Sequence, residues 1–430
     1  MMSRILLLST TTGYQLRSFG EAAAELGVEL MFATDRCHSL DDPWRDGAVA
    51  VRFHEEEDSL SAILQAARSR PVDGVLPLGD RPVVLAARAA SALGLRGNPP
   101  DAALASAHKR LTRERCAAAG LLVPGFRALT VDDDVRVRTE GLNYPVVVKP
   151  VGLSGSRGVI RADDPEELVA AFTRVAALLA RPEIRALRTG TERDLIVEEF
   201  IHGREYAVEG LLTSGVFRPL ALFDKPDPLD GPFFEETIYV TPSAAPEPMQ
   251  QAIYDAVVQA VRALGLRHGA VHAECRVARA GVYVLEVAAR PIGGLCSRVL
   301  RFQAQAGSGC SLEHVLLRHA LGASLSGLAR EEGGAAVMMV PIPRRGVFRR
   351  VDGEAEARRV KFVEDVRMTA KPGGLLEPLP EAGRYLGFIF ARAPQPADAE
   401  MAVRQAHGHL RFVIDTPLEV RSVPAGAPER

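Results

Sequence analysis

Lys149 closes the run Tyr144-Pro-Val-Val-Val-Lys149-Pro-Val-Gly152-Leu-Ser154-Gly155-Ser156-Arg157-Gly158, in which β-branched residues stop at a lone lysine and give way to glycine and serine. Such a run reads as a buried strand that delivers a cation to a flexible loop, which is a phosphate site in outline. Glycines let backbone N–H groups approach an anion closely, the serines Ser154 and Ser156 add hydroxyl donors, and Lys149 supplies a compact positive charge. A β-hairpin with a solvated lysine is the other reading, and Pro150 followed by the glycines Gly152, Gly155 and Gly158 speaks against it. Because the lysine precedes the glycines, the order differs from G-x-x-x-x-G-K-[ST]. Nor does the stretch open a helix on G-x-G-x-x-G, so neither a P-loop nor a dinucleotide-binding loop is favoured.

Carboxylates form the second group. Glu198-Glu199-Phe200-Ile201 follows the apolar run from Asp194, and Gly203-Arg-Glu205 comes next. A double carboxylate where a buried strand emerges is costly unless it is exposed or partnered. An adenosine would use such a connection, with backbone groups pairing with the adenine and Glu205 accepting from ribose hydroxyls. Farther on, Val271-His272-Ala-Glu274-Cys-Arg276-Val277 and Val282-Tyr-Val-Leu-Glu286-Val-Ala-Ala-Arg290 flank a tight turn at Ala278 to Gly281. Pairing those strands would set Glu274 beside Glu286, and like charges that close call for a cation between them. Hard oxygen ligands completed by phosphate oxygens are the usual magnesium arrangement. Arg290 and the Gly293-Gly294 turn would add an anion contact. Two exposed glutamates on an ordinary hairpin remain the alternative.

The elements that must carry these residues start with a β-α-β pattern: strand Arg4 to Ser9, helix Tyr14 to Leu26, strand Val28 to Thr34, a helix around Leu60 to Arg68, and strand Gly74 to Leu78. That alternation predicts a small parallel sheet covered by helices. Asp80 lies at the end of the last strand, where open α/β sheets place ligand-binding turns. It fits a substrate contact or, more readily, the cap of the helix Pro82 to Leu93. One helix is expected over Pro100 to Gly120, carrying Lys109, Arg113 and Arg115. Asp164-Pro-Glu-Glu opens another that runs to about Ala180, with its acidic residues in the first turn. The Pro- and Gly-rich stretch Leu222 to Pro242, containing Lys225, Glu235, Glu236 and Tyr239, reads as a long loop over a site or as a plain surface connection. Helix Glu247 to Leu264 follows, then a helical segment Phe302 to Leu321 and a linker at Glu331-Glu-Gly-Gly. The rest, with strands near Ala335, Gly346, Val360, Val366, Gly387 and Arg411 and a helix Ala397 to Leu410, reads as a small α+β cap, with a disordered tail from Ser422.

With 430 residues, 47% hydrophobic and 25% charged, the chain has the composition of a globular protein of about three domains. A net charge of −2 gives no electrostatic reason to expect nucleic acid or an anionic membrane as a partner. The apolar run near Met1 is short for a signal peptide and no run reaches membrane-spanning length, so the expected location is the cytoplasm. Cys37, Cys116, Cys275, Cys296 and Cys310 lack C-x-x-C spacing and read as reduced structural thiols.

The order of these signals, a helix lysine, a strand lysine with a Gly/Ser loop, a Glu-Glu connection with Gly-x-Glu, then a paired-Glu hairpin ending in arginine, resembles the ATP-grasp superfamily over roughly residues 1 to 325. The resemblance implies an α/β and α+β chain: a preATP-type domain at 1–100, an ATP-grasp domain at 101–325 with its lid at about 125–205, a C-terminal α+β domain at 326–420 and a tail at 421–430. It implies that Lys109 and Lys149 contact ATP phosphates and that the loop Ser154, Gly155, Ser156 to Gly158 closes over them. It implies likewise that Glu198, Glu199, Phe200 and Ile201 line the adenine, Glu205 takes the ribose, and Glu274 and Glu286 hold two Mg²⁺ or Mn²⁺ ions.

Where the superfamily's second metal motif is usually Glu-x-Asn-x-Arg, this chain has Glu286-Val-Ala288-Ala-Arg290. That form is unlike D-alanine–D-alanine ligases and biotin carboxylases and is similar to the L-amino acid ligases. Met338-Met-Val-Pro-Ile-Pro, Lys371-Pro-Gly-Gly and Tyr385-Leu-Gly-Phe-Ile-Phe-Ala-Arg resemble the C-terminal domain of the same group. The implied activity is an ADP-forming carboxylate–amine ligase that makes an amide, dipeptide-like bond through an acylphosphate. Arg290 would stabilise the acylphosphate and the tetrahedral intermediate, with His272 assisting. Glu236 would bind the substrate ammonium, with Tyr239 where that group carries histidine, and Gly293 and Gly294 would complete the substrate contacts. The partners implied are a small carboxylate and an amine, and a homodimer is the ordinary prior for a soluble enzyme of this size. A ligase of a non-amino-acid carboxylate, and a nucleotide-binding protein without turnover, are the competing readings.

Overall fold

In the computed structural model of the chain, which describes residues 2–10, 15–35, 48–303 and 309–417, four strands pair in parallel in the order Val49–Ala50, Glu29–Thr34, Arg4–Ser9, Gly74–Leu78. Ile5 to Leu8 are fully buried, as expected of a parallel strand covered on both faces. Helices Leu16–Leu26, Glu56–Ser69 and Val83–Ala92 accompany this sheet, so the β-α-β reading of the first hundred residues holds. The expected helix start at Tyr14, Cys37 and the tail from Ser422 lie outside the described residues.

A second, antiparallel sheet has the order Phe126–Thr130, Asp194–Glu199, Val146–Pro150, Ile160–Ala162 and packs its apolar face on helix Pro165–Leu179. Asp164 caps that helix by accepting from the Glu167 N–H at 2.8 Å, which fulfils the Asp-Pro-Glu-Glu signal.

The third sheet carries the site. Eight strands run antiparallel in the order Gly281–Ala288, Gly269–Ala278, Arg204–Thr213, Val216–Asp224, Ile238–Thr241, Gly334–Val340, Gly387–Ala393, Val363–Met368. The apolar strand ending at Glu199 and the strand starting at Arg204 therefore belong to different sheets, and residues 200–203 carry the chain between them. Gly203 makes that passage possible: its φ is +146°, and a Cβ there would lie 2.1 Å from the Val277 carbonyl oxygen.

Three expectations change. The last three strands of the large sheet come from the expected C-terminal cap, so one continuous sheet runs through residues 204 to 393, with Ile238–Thr241 pairing to Gly334–Val340. The separate strands near Val360 and Val366 are one strand, Val363–Met368. Between Phe302 and Leu321 the described residues form two short strands, Arg301–Gln303 and Gly309–Ser311, and a helix only from Leu312 to Ala320. Ser311 starts that helix through a capping box with His314. No helix among the described residues is long and apolar enough to cross a membrane.

Candidate active site

Period-two alternation assembles the chemistry. Along Gly269–Ala278 the residues His272, Glu274 and Arg276 point to one face, and their register partners on Arg204–Thr213 are Glu209, Ala207 and Glu205. On the other neighbour Glu274 stands opposite Glu286, and His272 opposite Ala288. A single face of three adjacent strands thus carries four carboxylates, a histidine and an arginine. It forms the floor of a cavity of about 360 Å³ that is also lined from the other two sheets.

The second sheet contributes Lys149. Its Nζ lies 2.5 Å from Glu198 Oε2 on the adjacent strand, and Arg113 Nε is 2.7 Å from Glu198 Oε1. Arg113, 1% exposed, also donates to the Leu285 carbonyl oxygen at 2.7 Å and so ties the second sheet, through Glu198, to the strand of Glu286. Burial alone would raise the Glu198 carboxyl, but Arg113 and Lys149 bring it down to about 2. Its carboxylate is therefore committed to an ion-pair triad beneath the cavity wall. Glu199 accepts from Asn143 at 2.8 Å. The Phe200 ring lies between the guanidinium groups of Arg161 and Arg276, at 4.6 and 4.8 Å, and the Ile201 carbonyl accepts from Arg276 at 2.9 Å. All four residues of this connection line the cavity.

The helix expected over Pro100 to Gly120 is two helices, Pro100–Ser106 and Lys109–Ala118. His108, extended at φ −127°, breaks it and caps the second half through Nδ1. That break makes Lys109 the first residue of a new helix, with Nζ 2.5 Å from the Leu153 carbonyl oxygen at the root of the Gly/Ser loop. Ser154, Gly155 and Ser156 line the cavity. Gly158 does not: its N–H donates to the Pro380 carbonyl at 2.8 Å, and a Cβ would lie 2.6 Å from Pro150 Cγ. Close packing is what the structure asks of that glycine.

Across the cavity Arg290 Nε lies 2.7 Å from Asp80 Oδ1. The Asp80 side chain makes no cap bond to the following helix, so the capping expectation fails in favour of this ion pair. His272 Nδ1 faces Glu209 Oε2 at 3.2 Å, its Nε2 is 3.7 Å from Glu274, and Glu209 accepts the Ile292 N–H at 3.2 Å. Burial disfavours the imidazolium, but Glu209 and Glu274 overcome it and raise His272 to about 9.

The least expected group is Lys225, which no sequence signal marked. Its side chain, 3% exposed, places Nζ 2.8 Å from Glu205, 2.5 Å from Glu236 and 2.8 Å from Glu274. Tyr239 Oη donates to Glu236 at 2.9 Å, and Arg276 Nε holds the other Glu205 oxygen at 2.9 Å. Burial and the nearby Glu274 push Glu236 up to about 7 although Lys225 opposes them, while Glu274 is held well below the usual range by Lys225 and His272 despite its burial. Glu205, Glu236 and Glu274 have oxygens close enough to ligate one ion, and the cation they surround is the protein's own. Glu274 and Glu286, cross-strand partners offering only hard oxygen donors, fit a magnesium ion shared with phosphate. Ala288 adds no donor.

Gly293 and Gly294 line the cavity as expected. Residues for which no site role was expected join them: Gln15 and Leu78 from the N-terminal elements, and Met339, Arg384, Tyr385 and Phe388 from the C-terminal segment.

Three family models match the chain: an ATP-grasp N-terminal domain over residues 20–97, an ATP-grasp domain over 142–299 and an L-amino acid ligase C-terminal domain over 338–415. The ATP-grasp enzyme fsqD of Aspergillus fumigatus is 30% identical over 277 residues, 60% of this chain and 46% of that protein. Alanine–anticapsin ligase of Bacillus subtilis strain 168 is 28% identical over 235 residues, 52% of this chain and 49% of that one. The chain thus spans about half the length of these curated relatives. A solved L-amino acid ligase from Bacillus licheniformis superposes with a TM-score of 0.82 at 28% identity, over 96% of this chain and 99% of that one.

Proposed function

We propose that this chain, which belongs to the ATP-grasp superfamily, is an ATP-dependent carboxylate–amine ligase that forms an amide bond through an acylphosphate and releases ADP and phosphate. The observation that carries the reading is the convergence of Lys109, Lys149, the Glu274–Glu286 pair and Arg290 on one cavity roofed by Ser154 to Ser156. Phosphoryl transfer needs mainly positioning and charge neutralisation, and this set supplies both.

Lys109 and Lys149 reach the cavity from the Gly/Ser side, where the triphosphate would lie, and residues Glu199 to Ile201 flank the place for its base. Glu274 and Glu286 would hold magnesium, which supplies charge neutralisation at the phosphate oxygens. Arg290, fixed by Asp80, is placed to hold the acid's carboxylate and then the oxyanion that forms when the amine adds. His272, oriented by Glu209 and raised to about 9, stands next to Glu274 as an imidazolium at neutral pH and would assist by adding positive charge beside the phosphate and the oxyanion. Closure of the cavity by the lid excludes water, which would otherwise hydrolyse the activated acid. The deciding assay is ADP release with ATP and magnesium across acid and amine pairs, with mass analysis of the products. A pair-dependent amide supports the reading, and ATP binding without acid-dependent ADP release supports a nucleotide-binding protein instead.

A further inference from the structure

Resting on that ligase reading, we propose that Arg384 is a further catalytic residue: the C-terminal segment brings its guanidinium to the cavity to hold the terminal phosphate of ATP and the acylphosphate formed from it. The other basic side chains that line the cavity are already engaged. Lys149 meets Glu198, Arg276 meets Glu205, Arg290 meets Asp80, His272 faces Glu209, and Lys109 donates to the Leu153 carbonyl oxygen. Arg384 lines the same cavity and has no ion pair or hydrogen-bond partner among the described residues. Its charge is left for a ligand.

Arg384 is exposed, and on an unanchored loop water alone would satisfy it. The chain on either side of it is anchored. Before it, Glu381 makes paired contacts to Arg174 at 2.7 and 3.0 Å, its carbonyl accepts from Arg157 at 2.7 Å, and the Pro380 carbonyl accepts the Gly158 N–H at 2.8 Å. After it, Tyr385 packs edge-on against Phe388 at 6.0 Å, and the buried Leu386 exchanges backbone bonds of 2.9 Å with Val340 and Thr369. Between these anchors Gly383 passes against the Gly/Ser loop: a Cβ there would lie 2.7 Å from the Gly155 carbonyl oxygen and 3.5 Å from that of Ser154. Glycine permits that approach, and it sets the next residue, Arg384, beside the loop that would cover the phosphates.

The neighbours identify the anion. Ser154, Gly155 and Ser156 offer hydroxyl and N–H donors of the kind that cradle phosphate oxygens, and a guanidinium's planar fork grips two oxygens of one phosphate. During transfer a carboxylate oxygen of the acid bonds to the γ-phosphorus, and the bond from that phosphorus to the ADP oxygen breaks with its electron pair left on ADP. Arg384 keeps its protons throughout and offsets the charge spread over the transferring oxygens.

The test uses the full chain and its Arg384→Ala and Arg384→Lys variants. Calorimetry with magnesium compares a non-hydrolysable ATP analogue with ADP, and acid-dependent ADP release gives kcat and KM. Arg384→Ala is expected to weaken the analogue at least about tenfold, to change ADP less than about threefold and to lower kcat at least about tenfold, as for an arginine removed from the transferring phosphate. Arg384→Lys keeps the charge without the fork and should recover part of each loss. Thermal midpoints should coincide, since the side chain is exposed, so a folding defect does not produce this pattern. Equal losses for the analogue and ADP, or no loss for either, overturn the proposal. So does a loss confined to the KM of the amine, which would assign Arg384 to a substrate carboxylate. If the analogue and ADP separate as expected but no acid and amine pair yields an amide, the ligase reading fails and the phosphate contact stands. If the wild type forms an amide and Arg384→Ala does so unimpaired, only this inference fails.

Discussion

Arg290 and Asp80 are 210 residues apart in the chain, yet Nε of one lies 2.7 Å from Oδ1 of the other. The first sheet therefore supplies the carboxylate that aims the arginine of the third. Arg290 is buried, and Asp80 raises its already high pKa further against the pull of burial. Replacing Arg290 by alanine should lower turnover by about 10² to 10³, the cost of deleting one oxyanion donor. Asp80→Asn should cost about tenfold, as for a partner that only orients a reacting group. The double variant should be no slower than Arg290→Ala alone, because the two act as a unit. Steady-state ADP release measures all three, and near-normal turnover in Arg290→Ala removes that residue from the mechanism.

Glu198 should be a stability residue as well as a site residue. Its removal leaves Arg113 and Lys149 facing each other without the shared anion, and breaking a buried pair on one side costs about 3 to 5 kcal/mol. Glu198→Ala should therefore unfold at clearly lower denaturant. The pH dependence follows from the depressed carboxyl: in the unfolded chain it protonates near 4.5, in the folded protein near 2. The triad's contribution is present above 4.5 and is lost as pH falls from there toward 2. Denaturation midpoints of the wild type and Glu198→Gln should converge over that window, and parallel curves would contradict the assignment.

The second sheet and its helix, the proposed lid, are fastened to the C-terminal segment. Arg174 makes paired contacts to Glu381 at 2.7 and 3.0 Å, Arg181 reaches Glu377 at 3.1 Å, and Arg157 Nε donates to the Glu381 carbonyl at 2.7 Å. Since exposed ion pairs contribute about 0.2 to 1 kcal/mol, Glu381→Ala should raise the KM for ATP by no more than about fivefold with kcat nearly unchanged. Faster proteolysis within 150–160 should accompany it. Unchanged KM and cleavage would show that the lid closes without this fastening.

Away from the site, His319 and His268 stack at 4.3 Å, and His319 Nε2 lies 2.9 Å from the Thr213 hydroxyl. Burial first, then the charges of His268 and Arg96, lower His319 to about 4. A histidine kept neutral by the fold loses its contribution as acid protonates the unfolded chain, so this part of the stability is intact above 6.5 and declines as pH falls toward 4. Replacing His319 with phenylalanine should flatten the wild-type stability profile over that interval, as read from thermal midpoints at fixed ionic strength.

What was legible in the sequence is what short-range pattern encodes. The β-branched run to Lys149 needed only its own alternation and the glycines after it. Two strands about a tight turn were legible, but the register of that turn alone would set Leu285 opposite Glu274, and it is a β-bulge between Glu274 and Cys275 that brings Glu286 there. Asp80 was misjudged because a helix cap is a local solution, while the partner it has lies in another sheet. Lys225 sits in a Pro- and Gly-rich stretch without periodicity, and only the fold brings its ammonium to Glu205 and Glu274. Even so, the alternation of Glu205 with Glu209 and of His272, Glu274 and Arg276 was available as a sign of one charged sheet face. The break at His108 had no apolar-pattern signal, since a polar residue caps and continues helices equally well. The merging of the C-terminal strands into the main sheet depends on pairing Ile238–Thr241 with a strand about a hundred residues later, which no local pattern specifies.

The central claim, amide formation through an acylphosphate, is tested most directly by isotope transfer. The acid that best stimulates ADP release is labelled with ¹⁸O in its carboxylate and turned over with ATP, magnesium and its amine. The released phosphate is then weighed by mass spectrometry. The account predicts one labelled oxygen in phosphate for each ADP and each amide formed, because the carboxylate oxygen that attacks the γ-phosphorus leaves with it. Label found in AMP, or retained entirely in the acid and amide while ADP is released, would contradict it.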